Sequence, residues 1–210
     1  MISNSKKFIF VHIPKTGGSS IEKDLIPFFD ETIKIVGSNS VVYKSLKNPI
    51  KNSFNSFKHA TSLELIDEYG VNTWNEFYKF SVIRKAQDRL ISLYFWKEKN
   101  RKYNRDSFIK ETIPQLEKTN PDNGKRALWT INKYICDNEN NILIDELIDY
   151  ENFSIQYNNM LNEKLGIDVK VKNYINKSTK IGINNYYNDT ELIEIIKEVY
   201  KKENKFFKNN

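Results

Sequence analysis

The loop Ile13-Pro14-Lys15-Thr16-Gly17-Gly18-Ser19-Ser20 constrains the fold of this chain more than any other segment. It follows an apolar run, Phe8 to Ile13, whose aromatic and β-branched residues predict a buried strand. A helical pattern from Ser19 to Phe29 comes next, with Ile21 and Leu25 on one face. The chain therefore begins with a strand, a glycine loop and a helix, which is a building unit of α/β sheets.

A glycine loop at the start of a helix is suited to bind an anion. The first N–H groups of a helix lack partners within the helix, and the helix dipole makes this end partly positive. Gly17 and Gly18 allow the backbone to wrap around a tetrahedral anion, and further donors come from the side chains of Lys15, Thr16, Ser19 and Ser20. A Walker A loop places its Lys after the glycines, whereas Lys15 precedes them, so the loop is of another type. The alternative is a tight turn that binds nothing.

A second strand and helix carry another pair of candidate ligands. The sequence predicts a buried strand from Phe77 to Ile83 and an apolar helix from about Ala86 to Trp96. Arg84 lies where the strand ends, the position from which parallel sheets bind ligands, and Ser92 follows eight residues later. A guanidinium and a hydroxyl in this arrangement would suit a second phosphate. Arg89, in contrast, is expected to pair with Asp88 or another nearby carboxylate.

The remaining patterns complete an α/β arrangement. Thr61-Ser62-Leu63-Glu64 has capping-box spacing and predicts a short helix that ends near Tyr69. Other segments predict a strand at Val41 to Tyr43, a third core strand at Asn141 to Ile144, a helix from Phe153 to Leu165 that stops at Gly166, and a last helix from about Asp189 with the Lys-rich tail on its outer face. Because strands alternate with helical patterns, we predict one α/β domain over residues 1–210, with a mostly parallel sheet flanked by helices.

The counts of metal-binding and charged residues exclude several classes. Cys136 is the only Cys, and His12 and His59 are the only His, so a disulfide framework and zinc sites built from several Cys or His are excluded. The net charge is +6, with 28 Lys and 5 Arg, which by itself does not indicate a nucleic-acid partner. No apolar run approaches the roughly 20 residues of a membrane span, and no targeting segment is evident, so we expect a cytoplasmic protein.

Three segments together resemble the PAPS-dependent sulfotransferases, in particular the carbohydrate-acting, family 2-like branch. They are Phe10 to Ser20, Phe80-Ser81-Val82-Ile83-Arg84, and Asp88 to Tyr94, and their order and the Arg-to-Ser spacing also agree. The likeness extends weakly through a "D…YEN" pattern from Ile144 to Phe153 and through Asn176-Lys177-Ser178. Family members usually carry Asn-Pro after the Arg, whereas this chain has Lys85-Ala86.

The resemblance implies a P-loop-like domain that transfers a sulfuryl group from 3′-phosphoadenosine-5′-phosphosulfate (PAPS) to a carbohydrate hydroxyl, without a metal. The glycine loop would hold the 5′-phosphosulfate, and Arg84 with Ser92 would hold the 3′-phosphate. Lys15 would stabilise the departing phosphate, and Lys177 and Ser178 would close over the nucleotide. His59 would act as the base, since the family places a catalytic His between the two donor motifs. The other candidate bases are His12, which we expect to be structural, and a carboxylate such as Glu64 or Asp67.

Two other functions share part of this sequence pattern. A P-loop-type nucleotide or small-molecule kinase shares the opening unit, but it requires a Lys after the glycines and an Asp for Mg²⁺, which we do not find. A non-catalytic polyanion-binding module would explain the basic balance but not the paired anion sites.

A basic run after the second motif is expected to be a solvated helix face or a contact for an acidic glycan. Its members are Lys97, Lys99, Arg101, Lys102 and Arg105. Among the tryptophans, we favour core packing for Trp96 and leave Trp74 and Trp129 undecided.

Overall fold

The computed structural model describes residues 1–29, 34–36, 40–42, 57–98, 100–117, 121–123, 125–168 and 180–207. Lys99, Lys177 and Ser178 lie outside these residues, so the role of the last two stays a prediction. The strands are β1 (Ile2–Ser3), β2 (Phe8–Val11), β3 (Lys34–Val36), β4 (Ser40–Val42), β5 (Tyr78–Ile83) and β6 (Glu146–Asp149). The α-helices are α1 (Gly18–Leu25), α2 (Ser62–Tyr69), α3 (Val71–Glu76), α4 (Ala86–Trp96), α5 (Arg105–Glu117), α6 (Ile131–Ile135), α7 (Phe153–Leu165), α8 (Ile183–Tyr187) and α9 (Thr190–Val199).

The central sheet has the strand order β1-β2-β5-β6. β2 pairs with β5 in parallel, with Phe10 opposite Phe80, and β5 pairs with β6 in parallel, with Ile83 opposite Asp149. Only the short edge strand β1 is antiparallel to its neighbour. The predicted mixed α/β fold with a mostly parallel sheet is therefore confirmed. β3 and β4 form a separate antiparallel pair, and β4 agrees with the strand predicted near Val41.

The third core strand was predicted at the wrong place. The strand that joins the sheet is β6, Glu146–Asp149, and not Asn141 to Ile144. Ile142 instead makes an isolated antiparallel bridge with Cys136 and is half exposed. Apolar residues occur in both 141–144 and 146–149. The pattern therefore does not indicate that residues 141–144 turn back and contact the end of α6.

Both faces of the sheet are covered by helices because the strand side chains alternate between them. Phe8 and Phe10 of β2 face a cluster that includes residues of α1 and α7, whereas Ile9 and Val11 face residues of α2, α3 and α6. A third cluster joins α4, α5 and α9, and it includes Tyr94, Phe108, Leu192 and Ile196. The sheet edge at which the parallel strands end is therefore held from both sides.

Most helix limits agree with their sequence signals. The Thr61–Glu64 capping box is present at the start of α2, α4 begins at Ala86, and α7 ends at Gly166, which has φ +58°. The Asp189 carboxylate accepts a hydrogen bond from the Leu192 N–H at the start of α9. The tail does not continue that helix as predicted: residues 201–206 form a 3₁₀ helix whose Glu203 is buried, because Glu203 pairs with Arg89 of α4.

Candidate active site

A cavity of about 580 Å³ opens at the carboxyl ends of three adjacent parallel strands. The loop after β2, Arg84 after β5 and Tyr150 after β6 all contribute to its wall. This is the edge at which open α/β sheets bind ligands, because the loops that follow neighbouring strands meet there. The lining residues are His12, Pro14, Lys15, Gly17, Gly18, Ser19, Lys58, His59, Arg84, Ser92, Leu93, Trp96, Lys97, Glu111, Lys125, Arg126, Ala127, Leu128 and Tyr150.

The glycine loop has an unusual backbone. Gly17 has φ +90°, and Lys15 has φ +64°, a left-handed conformation that costs energy for a residue with a side chain. A Cβ on Gly17 would lie 2.9 Å from the Tyr150 ring, and a Cβ on Gly18 would lie 2.2 Å from the His12 ring. Gly17 is therefore required by its backbone conformation and its close neighbour, and Gly18 by its close neighbour alone.

The predicted loop ligands do not all reach the cavity. Lys15, Gly17, Gly18 and Ser19 line it. The hydroxyl of Thr16 instead donates a hydrogen bond of 2.8 Å to the carbonyl of Ile13, so it stabilises the loop and is not directed at a ligand. Ser20 is buried in α1 and is not among the lining residues. The side-chain donors that the sequence suggested are thereby reduced to Lys15 and Ser19.

Arg84 reaches the same cavity as Lys15. Its Nη1 donates to the Lys15 carbonyl at 3.3 Å, and its guanidinium lies 4.2 Å from the centre of the Tyr150 ring. Ser92 lines the cavity from α4, two turns after the start of that helix. Tyr150 was missed as a site residue, although it belongs to the "D…YEN" pattern noted in the sequence. The two predicted anion sites therefore share one cavity.

Positive charges crowd around Lys15. Burial and, after it, the charges of Arg84, Lys180 and Lys58 lower the pKa of Lys15 to about 8. Burial and Arg84 likewise lower the pKa of Lys180. We call Lys15, Arg84 and Lys180 the inner cation cluster. Lys180 was not predicted, because no motif marks it. Such mutual repulsion is relieved when an anion binds among the cations.

His59 is fixed by hydrogen bonds at both its ring and its backbone. Its Nδ1 lies 3.0 Å from the carbonyl of His12, and since a carbonyl only accepts, Nδ1 carries the proton. Nε2 is then the unprotonated nitrogen. Arg126 donates to the carbonyl of His59 and is itself held by Glu64. Burial and the charge of His12 lower the pKa of His59 well below its usual value, so the ring is neutral at pH 7.

The other candidate bases are committed to contacts within the protein. His12 is buried and its Nδ1 pairs with the Glu22 carboxylate. Glu64 is buried, accepts from the Thr61 N–H at 2.8 Å and pairs with Arg126. Asp67 is not among the described residues that line the cavity. His12 and His59 both line the cavity, but the His12 ring is paired with Glu22, whereas the Nδ1–H of His59 is bound to a carbonyl and its Nε2 is unprotonated.

The assignment of Trp96 to the core was wrong, and the two tryptophans that were left undecided are buried. Trp74 and Trp129 are in the core, whereas Trp96 is 68% exposed at the rim of the cavity, with the Lys15 ammonium 5.2 Å from its ring centre. Trp96 ends α4, and the apolar pattern of that helix does not reveal that its last turn leaves the core. Sequence periodicity indicates which face of a helix is apolar, but not where its partner surface ends.

Three members of the basic run after α4 pair with carboxylates. Lys97 and Arg101 both pair with Glu111, and Arg105 pairs with Asp189 at 2.6 Å and Glu191 at 3.2 Å. We call Lys97, Arg101 and Arg105 the outer basic run. Arg89, as expected, has a carboxylate partner, although the partner is Glu203 and not Asp88.

This fold and site define an α/β protein with an anion-binding cavity at the carboxyl edge of its sheet. The chain belongs to the sulfotransferase family, whose model matches residues 1–209, and it is a transferase of sulfuryl groups. No curated protein and no solved structure matches the chain. In the described residues, no cluster of His, Cys, Asp and Glu could hold a metal ion. No helix in that part of the chain combines the length and apolar character needed to span a bilayer.

Proposed function

We propose that this protein transfers the sulfuryl group of PAPS to a hydroxyl of a carbohydrate, in a polysaccharide or a glycolipid. One observation carries the proposal: Lys15 and Arg84, each from a different strand-to-helix connection, line one cavity and are in contact through the Lys15 carbonyl. Arg84 has no carboxylate partner among the described residues. Two cations in one cavity suit a ligand with two separate anionic groups.

The residues present fit the two anionic ends of PAPS. Burial and, after it, repulsion within the inner cation cluster lower the pKa values of Lys15 and Lys180, and an anion that binds there relieves the repulsion. The loop backbone at Gly17 and Gly18 lines the cavity directly, because neither residue has a side chain to cover it. The volume of about 580 Å³ lies within the usual range for small-molecule sites of about 300–1,000 Å³.

PAPS supplies an activated sulfuryl group and leaves as adenosine 3′,5′-bisphosphate (PAP). The loop backbone from Gly17 to Ser19 and the Lys15 ammonium hold the 5′ end and stabilise the negative charge that develops there. Arg84 and Ser92 hold the 3′-phosphate, so that PAP is distinguished from simpler adenylates. The rigid contact of Arg84 with Tyr150 orients the guanidinium before any ligand arrives.

His59 is the general base in this proposal. Its neutral ring accepts the proton of the acceptor hydroxyl at Nε2, because Nδ1–H is already committed to the His12 carbonyl. The low pKa of His59 keeps the base unprotonated at neutral pH. Replacing His59 by Ala is expected to abolish transfer while PAP affinity, measured by calorimetry, changes by less than about threefold. Full turnover in this variant would remove His59 from the mechanism.

The acceptor side of the cavity supports a carbohydrate. Trp96 presents an exposed aromatic face at the rim, adjacent to Lys15. An aromatic ring of this kind can pack against the apolar face of a sugar, and its position would bring a sugar hydroxyl near the transferring group. The exposed face of Trp96 therefore favours an acceptor with a sugar ring.

A thermal-shift comparison tests the donor. The protein is heated with PAP, ATP, ADP or adenosine 5′-phosphosulfate, each at about 100 times the dissociation constant expected for PAP. PAP is expected to raise Tm by about 5–10 °C, since binding at this ratio stabilises a domain by about 2.7 kcal/mol. The other three nucleotides are expected to shift Tm much less, because they lack the 3′-phosphate. An equal or larger shift with ATP would favour a kinase and refute the proposal.

A further inference from the structure

We propose that the buried His12–Glu22 pair is a positioning element that sets the orientation of the base His59 relative to the glycine loop. Glu22 is not among the residues that line the cavity, and it acts through the ring of His12, which does line it. The inference rests on the proposed function insofar as it treats His59 as the base. Its structural claim concerns the ring of His59 and is testable without any acceptor.

Both side chains of the pair are almost fully buried. The side chain of His12 is 3% exposed and that of Glu22 is 2% exposed, and His12 Nδ1 contacts Glu22 Oε1. Burial alone would raise the pKa of Glu22, but the charge of His12, together with hydrogen bonds from His12 and Lys58, lowers it to about 2. The carboxylate is therefore ionised and holds the imidazole of His12 in one orientation.

The ring of His12 lies between the loop and the base. On one side it occupies the space next to Gly18, where a Cβ would come within 2.2 Å of ring atoms Cδ2 and Nε2. On another side it meets the ring of His59 edge to face, with 4.4 Å between ring centres. Displacing this ring would remove the support of both. Lys58, next to His59 in the chain, is also bound to Glu22, at 3.1 Å.

The charged groups around His59 come from four elements. His12 follows β2, Glu22 lies in α1, and Lys58 is the preceding residue. Arg126, paired with Glu64 of α2, contacts the His59 carbonyl. Burial and the charge of His12 lower the pKa of His59, while the weaker attraction of Glu22 raises it. Loss of Glu22 removes that attraction, which lowers the pKa of His59 further, and it frees the His12 ring that supports the ring of His59.

The experiment uses NMR of the two histidines, whose signals are assigned by replacing each in turn. In wild type, we expect ¹⁵N shifts typical of an Nδ1–H ring at His59 and a titration midpoint well below 6.5. In Glu22→Ala, the midpoint is expected to fall further, because the attraction of the Glu22 carboxylate is lost, and the tautomer to become mixed, because the His12 ring is no longer held. Turnover should fall at least about tenfold.

Two further variants separate positioning from general damage. In Glu22→Gln, the side-chain oxygen still accepts from His12 Nδ1–H, so the His59 tautomer and most of the turnover should return. In Gly18→Ala, the new Cβ pushes the His12 ring, so the His59 signals should shift even though Glu22 is intact. If both variants behave as expected, the ring of His12 transmits the influence of Glu22 to the ring of His59.

Glu203→Ala is the matched control, because it also removes a buried carboxylate from an ion pair, with Arg89, away from His59. It should lower Tm without moving the His59 midpoint. The proposal is overturned if folded Glu22→Ala keeps the wild-type midpoint and tautomer, if Glu203→Ala shifts them equally, or if Glu22→Gln behaves like Glu22→Ala. Failure of wild type to bind PAP would instead refute the donor assignment, and the His59 titration would be unaffected by it.

Discussion

The inner cation cluster and the outer basic run are similar in composition and differ in their partners. Every member of the outer basic run pairs with a carboxylate, from Glu111 of α5 or from Asp189 and Glu191 near the start of α9. The inner cations face one another, and Arg84 contacts a carbonyl and an aromatic ring. The outer cations are thus compensated by carboxylates, even where one of them, Lys97, lines the cavity, whereas the inner cations create a positive potential.

The five arginines show the same difference between cations that pair with a carboxylate and cations that do not. Four of them pair with carboxylates, and the exception among the described contacts is Arg84; the four pairs are Arg89–Glu203, Arg101–Glu111, Arg105–Asp189 and Arg126–Glu64. A partly buried cation without a counter-ion lowers the stability of the fold, and a bound anion offsets this loss. The net charge of +6 is therefore less informative about function than the location of the uncompensated charge.

Among the charged residues compared here, the largest expected effect is on turnover. Replacing Lys15 by Ala removes the ammonium at the 5′ end of the donor, and we expect kcat to fall by about 10²- to 10³-fold. Lys79 provides the control, since it is also largely buried but is neutralised by Asp145 at 2.9 Å near the opposite end of β5. Lys79→Ala should lower Tm with little change in kcat. Equal losses of kcat would remove the distinction between compensated and uncompensated cations.

The next effect is on donor affinity. Replacing Arg84 by Ala should weaken PAP binding by about 10- to 100-fold, because hydrogen bonds to a charged group contribute about 1.5–3 kcal/mol. Arg105→Ala, which breaks an exposed ion pair, should leave the dissociation constant of PAP unchanged. Calorimetric titration of both variants checks this. An unchanged dissociation constant in Arg84→Ala would contradict the assignment of the 3′-phosphate site.

A pH dependence of about tenfold follows from the lowered pKa of Lys15, which is about 8. Below pH 8 the ammonium is protonated and attracts the anion, and above pH 8 it loses its charge. The dissociation constant of PAP should therefore rise about tenfold between pH 7 and pH 9. Lys15→Arg keeps its charge over this range and should flatten the profile. A wild-type profile that is already flat would refute the role of Lys15 in binding.

The smallest effect concerns the rim. Replacing Trp96 by Ala should raise KM for a saccharide acceptor by about 5- to 20-fold, since an aromatic contact surface is lost. PAP affinity should not change, and Trp96→Phe should preserve most of the effect of the ring. Kinetics with any polysaccharide that accepts sulfate in a screen provides the measurement. Weakened PAP binding in Trp96→Ala would instead place Trp96 at the adenine.

Local signals predicted the connections that follow the strands. The loop around Gly17, the position of Arg84 at the end of β5 and the capping box at Thr61 depend on short-range geometry, and the structure contains all three. Because parallel strands end at one edge, the sequence also predicted that the two anion sites would converge. The assignment of His59 as base came from the family resemblance and stays a proposal.

The remaining features depend on contacts between distant parts of the chain. Trp96 is exposed and Trp129 is buried, and this difference depends on the extent of the surface that each side chain faces. The support of His59 by Arg126 and the approach of Lys180 to Lys15 join segments that no local pattern relates. The shift from Asn141–Ile144 to Glu146–Asp149 has the same origin, since strand pairing depends on the partner strand.

The left-handed backbone of Lys15 has a consequence for protein engineering. A residue such as Asn at this position would adopt φ +64° with less conformational strain, yet it would remove the ammonium from the cavity. Selection of this chain for thermal resistance alone would therefore favour losing its chemistry at position 15. A library screened for both properties should retain Lys at that position and accumulate its stabilising changes elsewhere.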